Sequence, residues 1–387
     1  MEGHLPATID GAAVGGYRAP VRLCLNRFVE PRRPYGPDEM QLLGGDEGVE
    51  ARNMIGRWPG YAPTPLRHLP GLARTLGVAA LHYKDEAQRC GLGSFKAVGG
   101  AYAVQRILER FKRERTADPA RLTVTCATAG NHGRAVAWGA QQFGCSCVIF
   151  VPPVVSTARV AAIEAFGAEV RVVKGNYDDA VRCAADEARR NGWVVVSDTS
   201  YDGCVGTARE VMHGYTVLAS EALEQYPCVS PLSHVFLQAG VGGLAAAVAG
   251  YLWERLGADR PQIVVVEPEN ADCLLRTCLA GIPQRLSGPL DTVMTGLACG
   301  EPSILAWQLL RKAADAFISI DDPSAIDCKH MLANGGWGDE PIVGGASGVA
   351  GLAGFIAAAG DPETRRNCGL TEQSSILVVG TEDDIDP

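Results

Sequence analysis

A lysine lies where a glycine-rich turn meets the start of a predicted helix. The segment Gly91-Leu92-Gly93-Ser94-Phe95-Lys96 precedes a helical run over residues 97–115. Ser94 is a suitable N-cap, which would place Lys96 in the first helical turn. There the positive end of the helix dipole favours the neutral amine, the form that reacts with a carbonyl group. A lysine at a helix start is ordinarily a solvated surface residue, but the apolar neighbours of Lys96 indicate a buried stretch.

A second turn combines backbone amides with polar side chains. Thr128-Ala129-Gly130-Asn131-His132-Gly133 follows a predicted strand over 122–125 and leads into a helix over 134–143. Free amides at a helix N-terminus bind anions, including carboxylates, and Asn131 adds a side-chain donor. The alternative is a plain strand-to-helix turn with a capping asparagine. His132 is a candidate base, although a packed histidine is the commoner situation.

A third turn is rich in glycine. Gln238-Ala239-Gly240-Val241-Gly242-Gly243-Leu244 lies between a predicted strand over 234–237 and an alanine-rich helix. Such a strand–turn–helix unit can bind a phosphate through its backbone N–H groups. The same letters fit the dinucleotide fingerprint, with Glu267 at the next strand end as the acid for a ribose. The pattern alone leaves phosphate, dinucleotide and purely structural readings open.

A fourth candidate is Thr381, which follows a predicted strand over 376–379. A hydroxyl group at a strand end could form a hydrogen bond with a neutral pyridine nitrogen. Taken alone, a threonine in a loop is usually structural.

The elements that must position these residues alternate along the chain. Apolar runs rich in β-branched residues are followed by alanine-rich helical stretches, which predicts βαβ units and a mostly parallel α/β sheet. Ligands in such sheets bind at the carboxyl ends of the strands, where the second, third and fourth candidates lie. Residues 1–60 have little periodicity and are predicted to form an arm or cover. Further strands are predicted over 147–151, 169–173, 193–196 and 263–266, and further helices over 157–166, 177–191 and 244–256.

Composition excludes several classes of protein. The 387 residues carry a net charge of −9, which disfavours nucleic acid or an anionic membrane surface as a partner. No apolar stretch is long enough to span a bilayer, and the N-terminus lacks the pattern of a signal peptide, so we expect a cytoplasmic protein. The 13 cysteines include no CxxC pair. Cys145 and Cys147 are predicted to be buried strand thiols rather than ligands, and no metal site is predicted.

Taken together and in this order, the motifs resemble those of the fold type II pyridoxal-phosphate enzymes, the threonine dehydratase and tryptophan synthase β-subunit group. The closer resemblance is to the diaminopropionate ammonia-lyases, and it extends from about Trp58 to the C-terminus. The Asn-Tyr-Asp-Asp segment at 176–179 and the Gly-Leu-Ala-Cys-Gly-Glu-Pro segment at 296–302 favour this family over generic dehydratases. The other segments that carry the resemblance are 60–66, 84–86, 93–96, 130–134, 197–199, 240–243 and 266–268.

The resemblance implies a two-lobed enzyme with a large cofactor-binding domain, residues 1–95 and 210–387, and a small domain, residues 96–209. It implies a homodimer, the usual assembly of the family. It also implies roles: Lys96 holds the cofactor as a Schiff base and later removes the Cα proton, and Asp198 lies near the substrate's amino group. Asn131 binds the ring hydroxyl, Thr381 lies near the pyridine nitrogen, and Gly240, Val241, Gly242, Gly243 and Leu244 hold the phosphate. The turn formed by Thr128, Ala129, Gly130, Asn131 and His132 binds the substrate carboxylate, and Cys273 and Cys299 lie close together.

Two acids of the family pattern are missing. An Asp usually precedes Gly130, where this chain has Ala129, and that Asp is the implied base for D-isomers. A Glu usually stands within the segment that reads Gly344-Gly345-Ala346-Ser347-Gly348 here. The expected activity is β-elimination from a small L-amino acid similar to 2,3-diaminopropionate, giving a 2-oxo acid and ammonia.

Three alternatives stay open at this point. The same scaffold could serve a serine/threonine-type dehydratase or a β-replacement enzyme. The glycine turn over 240–245 could belong to a nicotinamide-dependent oxidoreductase. The loss of acids at Ala129 and Ala346 could mark a non-catalytic binding paralogue.

Overall fold

The computed structural model describes residues 22–30, 32–115, 118, 121–128, 130–175, 177–201, 205–227 and 230–384, apart from the side chain of residue 178. Ala129 therefore lies outside the described residues. The strands of this part of the chain are β1 (Arg22–Leu25), β2 (Leu66–His68), β3 (Ala80–Asp85), β4 (Thr123–Ala127), β5 (Ser146–Val151), β6 (Glu169–Val172), β7 (Val194–Val195), β8 (His234–Gln238), β9 (Gln262–Pro268), β10 (Ala316–Ile320) and β11 (Ser375–Gly380).

The helices of the same part of the chain pack on both sides of the strands. They are α1 (Pro37–Leu42), α2 (Asp46–Ile55), α3 (Pro70–Thr75), α4 (Lys96–Arg115), α5 (Asn131–Phe143), α6 (Thr157–Glu164), α7 (Tyr177–Asn191), α8 (Gly206–Gln225), α9 (Gly243–Leu256), α10 (Cys273–Ala280), α11 (Ile304–Ala313), α12 (Asp322–Ala333), α13 (Ala350–Gly360) and α14 (Pro362–Asn367).

The strands form two sheets. The larger has the order β1-β10-β9-β8-β11-β3-β2, and the smaller has the order β6-β5-β4-β7. All pairs in the smaller sheet are parallel, and in the larger sheet only the two edge strands, β1 and β2, pair antiparallel. The prediction of a mostly parallel α/β protein is confirmed. The two-domain division at residues 96 and 209 stays a prediction, which the grouping of β4–β7 into a sheet of their own supports.

The N-terminal region is more than a cover. Residues 1–21 lie outside the described part, but β1 pairs with β10 at the edge of the larger sheet, from Arg22 opposite Ser319 to Leu25 opposite Ala316. The sequence analysis predicted an arm or cover here and did not detect this strand, because a four-residue edge strand shows no periodicity. The predicted buried strand thiol is confirmed for Cys147 of β5, but the prediction was wrong for Cys145, which lies just before the strand and is only half-buried. Among the described residues, no group of three or more His, Cys, Asp or Glu side chains could hold a metal ion.

Helices α4 and α8 cross closely beside the larger sheet. A Cβ atom added at Gly99 of α4 would lie 2.2 Å from Cε1 of Tyr215 on α8, and one added at Gly214 would lie 2.0 Å from the carbonyl oxygen of Val98. Only glycine leaves room for this approach, which brings Tyr215 against the start of α4. Within the described residues, no helix is long and apolar enough to cross a membrane.

A buried ion-pair network anchors the chain just before Lys96. The Arg89 guanidinium donates to Glu86 and to Glu221 of α8 at 2.7 Å, and Lys84 of β3 donates to Glu221 at the same distance. These side chains are at most 1% exposed. Burial raises the pKa of Glu221, but the hydrogen bond and charge of Arg89 and the charge of Lys84 outweigh it and lower that pKa to about 2. The network therefore fixes β3, the turn before Lys96 and α8 relative to one another.

Candidate active site

Lys96 is the first residue of α4, as the sequence predicted. Its Nζ atom donates to Oδ2 of Asp198 over 2.7 Å, and the two side chains are 21% and 22% exposed. Asp198 follows β7 in the smaller sheet, whereas Lys96 follows β3 in the larger one. The pair therefore joins the carboxyl ends of strands from both sheets.

The charge on Lys96 differs from the sequence expectation. Burial lowers the pKa of the Lys96 amine, but the negative charge of Asp198 outweighs burial and raises that pKa well above its usual value of 10.5. Burial likewise raises the pKa of Asp198, and the charges of His132 and Lys96 then hold it well below 3.8. The expectation of a neutral amine was wrong for this arrangement, because a carboxylate at 2.7 Å outweighs a partial helix charge.

Two aromatic rings border the lysine. The Nζ atom of Lys96 lies 5.2 Å from the ring centre of Phe95 and 5.8 Å from that of Tyr215. The rings are 4.7 Å apart. Burial raises the pKa of Tyr215 to about 12, with Lys96 lowering it and Asp198 raising it. Tyr215 was missed at the sequence level, since its place depends on the packing of α8 against α4.

The second predicted turn caps α5. Thr128 is buried, and its hydroxyl oxygen accepts hydrogen bonds from the Gly130 and Gly133 amides at 3.0 and 3.3 Å. Nε2 of the buried His132 lies 2.9 Å from the carbonyl oxygen of Val196, and Nδ1 lies 3.8 Å from Oδ2 of Asp198. His132 is thus a packed residue that contacts the backbone before Asp198.

Asn131, the first residue of α5, binds a carboxylate that the sequence analysis did not select. Its Nδ2 atom donates to Oε2 of Glu382 over 2.7 Å. The glycine-rich segment at 344–348 surrounds Glu382: a Cβ atom at Gly345 would lie 3.0 Å from its Oε1, and one at Gly348 would lie 2.7 Å from its carbonyl oxygen. The one feature of the sequence that could have indicated Glu382 is its position next to Thr381, just after a predicted strand.

The glycine turn after β8 leads into α9 without a side-chain cap. Gly242 is the N-cap residue with φ of +95°, a conformation that L side chains rarely adopt. A Cβ atom at Gly240 would lie 2.8 Å from Sγ of Cys299, and one at Gly242 would lie 3.1 Å from Leu274. Open backbone amides without side chains at the N-terminus of a 14-residue helix fit a phosphate group.

The resemblance places Cys273 and Cys299 close together, and both lie against this turn. The Cys273 thiol donates to the carbonyl oxygen of Gly240 over 3.6 Å, and Sγ of Cys299 lies on the side of Gly240 where a Cβ atom would be added. Both are free thiols.

Thr381 is 3% exposed and lies beside the start of α4. Its hydroxyl oxygen accepts from Nε2 of Gln238 over 3.0 Å, and its carbonyl oxygen accepts from the Phe95 amide over 3.0 Å. The hydroxyl proton of Thr381 stays available for an acceptor such as a ring nitrogen. Gln238 also donates to the carbonyl oxygens of Gly348 and Val379, so it holds the strand end and the segment at 344–348 together.

Glu267 does not face a ligand. Its side chain is fully buried and accepts from the Leu274 and Leu275 amides at 2.8 and 2.7 Å, which caps α10. Burial raises the pKa of Glu267 well above its usual value despite these two bonds. The role of ribose acid in a dinucleotide site is therefore wrong for Glu267, and the nicotinamide alternative loses its main support.

The structure brings the predicted residues to one place. Lys96 contacts Asp198 directly, Thr381 contacts the residue before Lys96, and Asn131 contacts the residue after Thr381. A primary amine, a helix start with open backbone amides and a buried hydroxyl group form a donor set that can hold pyridoxal phosphate.

Comparison with known proteins agrees with this donor set. Residues 57–379 match the family model described as pyridoxal-phosphate dependent enzyme. The chain belongs to this class of enzymes, with the fold type II architecture.

Within the class, the chain belongs to the diaminopropionate ammonia-lyase family. It is 40% identical to diaminopropionate ammonia-lyase of Escherichia coli K12 over 89% of this chain and 90% of that one. It is 37% identical to the enzyme of Salmonella typhimurium LT2, over 93% and 95% of the two chains. A solved structure of the Escherichia coli lyase, in complex with an aminoacrylate-PLP azomethine reaction intermediate, superposes with a TM-score of 0.86 at 36% identity and covers 96% of this chain and 95% of that one.

Proposed function

We propose that this enzyme uses pyridoxal phosphate to eliminate the β-substituent of a small L-amino acid, with 2,3-diaminopropionate as the favoured substrate and pyruvate and ammonia as products. The observation that carries the proposal is the contact between Lys96 and Asp198 at the meeting point of the two sheets. The contact joins a basic amine to a carboxylate, and the glycine turn lies beside it, since a Cβ atom at Gly243 would be 3.5 Å from the carbonyl oxygen of Asp198.

The residues that would hold the cofactor are those of the donor set. Lys96 would hold it covalently through Nζ, the turn from Gly240 to Leu244 would bind the phosphate, and Asn131 would bind the ring hydroxyl. When bound, pyridoxal phosphate withdraws electrons and stabilises negative charge at the Cα atom of an amino acid. Thr381 offers a hydroxyl group rather than a carboxylate, and a hydroxyl group does not keep a pyridine nitrogen protonated.

Lys96 and Asp198 would move the proton. The nearby carboxylate makes the free amine of Lys96 a stronger base, because it stabilises the ammonium ion that forms. Lys96 would remove the proton from Cα, and Asp198 would hold the resulting ammonium group and orient the amino group of the substrate. The amides at the start of α5, from Thr128 to His132, would bind the substrate carboxylate.

Glu382 supports a substrate with a second positive charge. The family acid at Ala346 is missing, yet the segment that contains Ala346 packs around the carboxyl group of Glu382. Glu382 also bonds to Asn131, which lies at the start of α5. Its carboxylate would attract the β-ammonium group of diaminopropionate, a group that serine lacks.

We further propose that the enzyme works as a homodimer in the cytoplasm. The usual homodimer of the family supports the first point. The odd number and irregular spacing of the 13 cysteines argue against a disulfide framework, which supports the second. Size-exclusion chromatography with light scattering would measure the assembly directly.

The decisive experiment is a turnover panel on the pyridoxal-phosphate-loaded enzyme. L-2,3-diaminopropionate, L-serine and L-threonine are supplied separately, and the 2-oxo acid and ammonia are quantified. We expect the highest kcat/KM with diaminopropionate. A higher value with L-serine or L-threonine would favour the dehydratase alternative, and no 2-oxo acid from any substrate would favour a binding paralogue.

A further inference from the structure

A polar cavity distinct from the proposed catalytic residues lies beside β7, the strand that precedes Asp198. It has a volume of about 610 Å³ and is bordered by β7, the C-terminal half of α4 and the first turns of α8. Its lining includes Val194 and Val195 of β7 together with Trp193. A neighbouring cavity of about 350 Å³ shares Glu47, Arg209 and His213 with it. None of these residues belongs to the proposed catalytic set.

The histidine in this lining has polar atoms without partners. His213 is 3% exposed, and neither ring nitrogen has a hydrogen-bond partner among the described residues. Burial lowers the pKa of His213 to about 4, with Glu210 raising it and Arg209 and Arg106 lowering it. The ring is therefore neutral at pH 7 and carries one N–H donor. A buried donor left unpaired is costly, so a ligand or a water molecule in the cavity has to satisfy it.

Arg209 of the lining also lacks an ion-pair partner among the described residues. Arg106 and Arg110 both pair with Glu210, at 3.4 and 2.5 Å. Arg209 forms no ion pair with any described side chain, and its buried Nε has no hydrogen-bond partner there. Glu47 is the other carboxylate of the lining. With Glu210 neutralised by two arginines, Arg209 supplies a positive charge beside His213.

The start of α8 is a third feature of the lining that favours an anion. This helix of 20 residues begins at Gly206, and its N-cap residue Val205 provides no side-chain hydrogen bond. Gly206 and Thr207 line the cavity, so their end of the helix carries free amides and the positive end of the helix dipole. Three independent features, the unpaired His213, the unpaired Arg209 and the helix start, thus meet at one cavity.

We infer that this cavity is a second binding site, for a small organic anion that presents a phosphate or carboxylate group to Arg209, His213 and the start of α8. The apolar lining from Trp193 to Val195 would contact the non-ionic part of such a ligand. The volume suits a small metabolite rather than a polymer.

The cavity is linked to the proposed catalytic pair through β7. Val194 and Val195 line the cavity, and the same segment continues to Asp198. The Ser197 amide donates to the hydroxyl oxygen of Thr207 over 3.4 Å, and the Val196 carbonyl oxygen lies 2.9 Å from Nε2 of His132. A ligand bound at the start of α8 would therefore shift the position of Asp198 through the hydrogen bond between Thr207 and Ser197. This regulatory consequence, unlike the binding itself, rests on the proposed function.

Calorimetric titration of the pyridoxal-phosphate-loaded enzyme tests the binding, because the loaded enzyme already has its catalytic phosphate turn filled. The probes are inorganic phosphate, pyruvate and adenosine monophosphate. We expect saturable binding of at least one, and the three titrations separate a phosphate preference from a carboxylate preference. Arg209→Gln and His213→Leu should each weaken that binding at least tenfold, and the exposed Arg113→Gln on α4 should leave it unchanged.

His213→Leu also separates a binding role from a structural one. Replacing an unpaired buried imidazole with an apolar side chain should leave the melting temperature unchanged or raise it while binding is lost. Absence of saturable binding for all three probes, or binding that persists in both variants, would overturn the proposal. Since the readout is heat of binding and not turnover, these outcomes do not depend on whether the proposed lyase activity is correct.

Discussion

Lys96 and Asp198 lie 2.7 Å apart although 102 positions separate them in the sequence. Each follows a strand of a different sheet, so their contact exists only when the two sheets are packed together. The carboxylate makes the amine more basic and the amine keeps the carboxylate ionised. This mutual effect underlies the roles proposed for both residues.

Replacing Lys96 with Ala should abolish both covalent cofactor attachment and elimination activity. Borohydride reduction of the loaded wild-type enzyme, followed by peptide mapping, should find the label on Lys96. The exposed Lys112→Ala on the same helix should retain attachment and turnover. A label on any other lysine in the wild-type enzyme would contradict the assignment.

Replacing Gly242 with Asp should weaken cofactor binding by at least tenfold, about 1.4 kcal/mol. The substitution places a side chain and a negative charge at the start of α9. Gly144→Asp controls for backbone strain alone, since Gly144 also has positive φ, +77°, and has no atoms near an added Cβ. Fluorescence titration of both apo-proteins with pyridoxal phosphate measures the effect. Equal losses in the two variants would show that backbone strain, not phosphate binding, is responsible.

Replacing Glu382 with Gln should raise KM for L-diaminopropionate and leave KM for L-serine nearly unchanged. The expected loss is about tenfold, since a charge-assisted hydrogen bond contributes about 1.5–3 kcal/mol. Steady-state kinetics with both substrates distinguishes lost recognition of the β-ammonium group from general damage. The exposed Glu372→Gln is the control. Equal effects on both substrates would restrict Glu382 to positioning Asn131.

The enzyme should act on L-amino acids and only poorly on D-isomers. A lyase that accepts both needs a base on each face, and the family Asp is Ala129 here, a position outside the described residues. Loss of a general base costs roughly 10²–10⁴-fold in rate. Rates with L- and D-diaminopropionate measure the ratio, and Ala129→Asp should raise the D rate selectively. Efficient D turnover by the wild type would refute this and make His132 the first suspect.

Replacing Glu221 with Gln should destabilise the protein by about 3–5 kcal/mol, because it leaves Arg89 and Lys84 buried without a full counter-charge. Glu224→Gln lies one turn further on α8 and breaks only the exposed pair with Arg52, so its expected cost is about 0–1 kcal/mol. Urea denaturation followed by circular dichroism gives both values.

Glu221→Gln should also change how the free energy of unfolding depends on pH in acid. The pKa of Glu221 falls from 4.5 to about 2 on folding, so its contribution to stability is present above pH 4.5 and is lost as pH falls toward 2. The stability of Glu221→Gln should therefore depend less on pH over that interval than that of the wild type. Parallel pH dependence of the two proteins would mean that other carboxyl groups dominate.

The sequence by itself determined the features that depend on local pattern. The helix over 177–191 has the bounds that its periodicity predicted, Lys96 begins α4, and the glycine turn leads into α9 at Gly243. Helical periodicity, β-branched runs and glycine turns act over a few residues, so the sequence contains them directly. Four strands were missed, namely β1, β2, β3 and β10. Of these, β1 and β2 have only four and three residues, which is too short to show a pattern.

Only the tertiary structure decided how these elements meet. The contact of Asn131 with Glu382 spans 251 positions, and the approach of Tyr215 to Lys96 depends on the close packing of α8 at Gly99. In the sequence, Glu267 has the position of a ligand-binding acid at a strand end. In the structure it is buried, and its carboxylate accepts hydrogen bonds from two amides at the start of α10. The charge of Lys96 also depends on tertiary structure, because the carboxylate of Asp198, which follows a strand of the other sheet, raises the pKa of the Lys96 amine. Coulomb interactions and burial act between neighbours in space, and which residues become neighbours is settled only when the sheets pack.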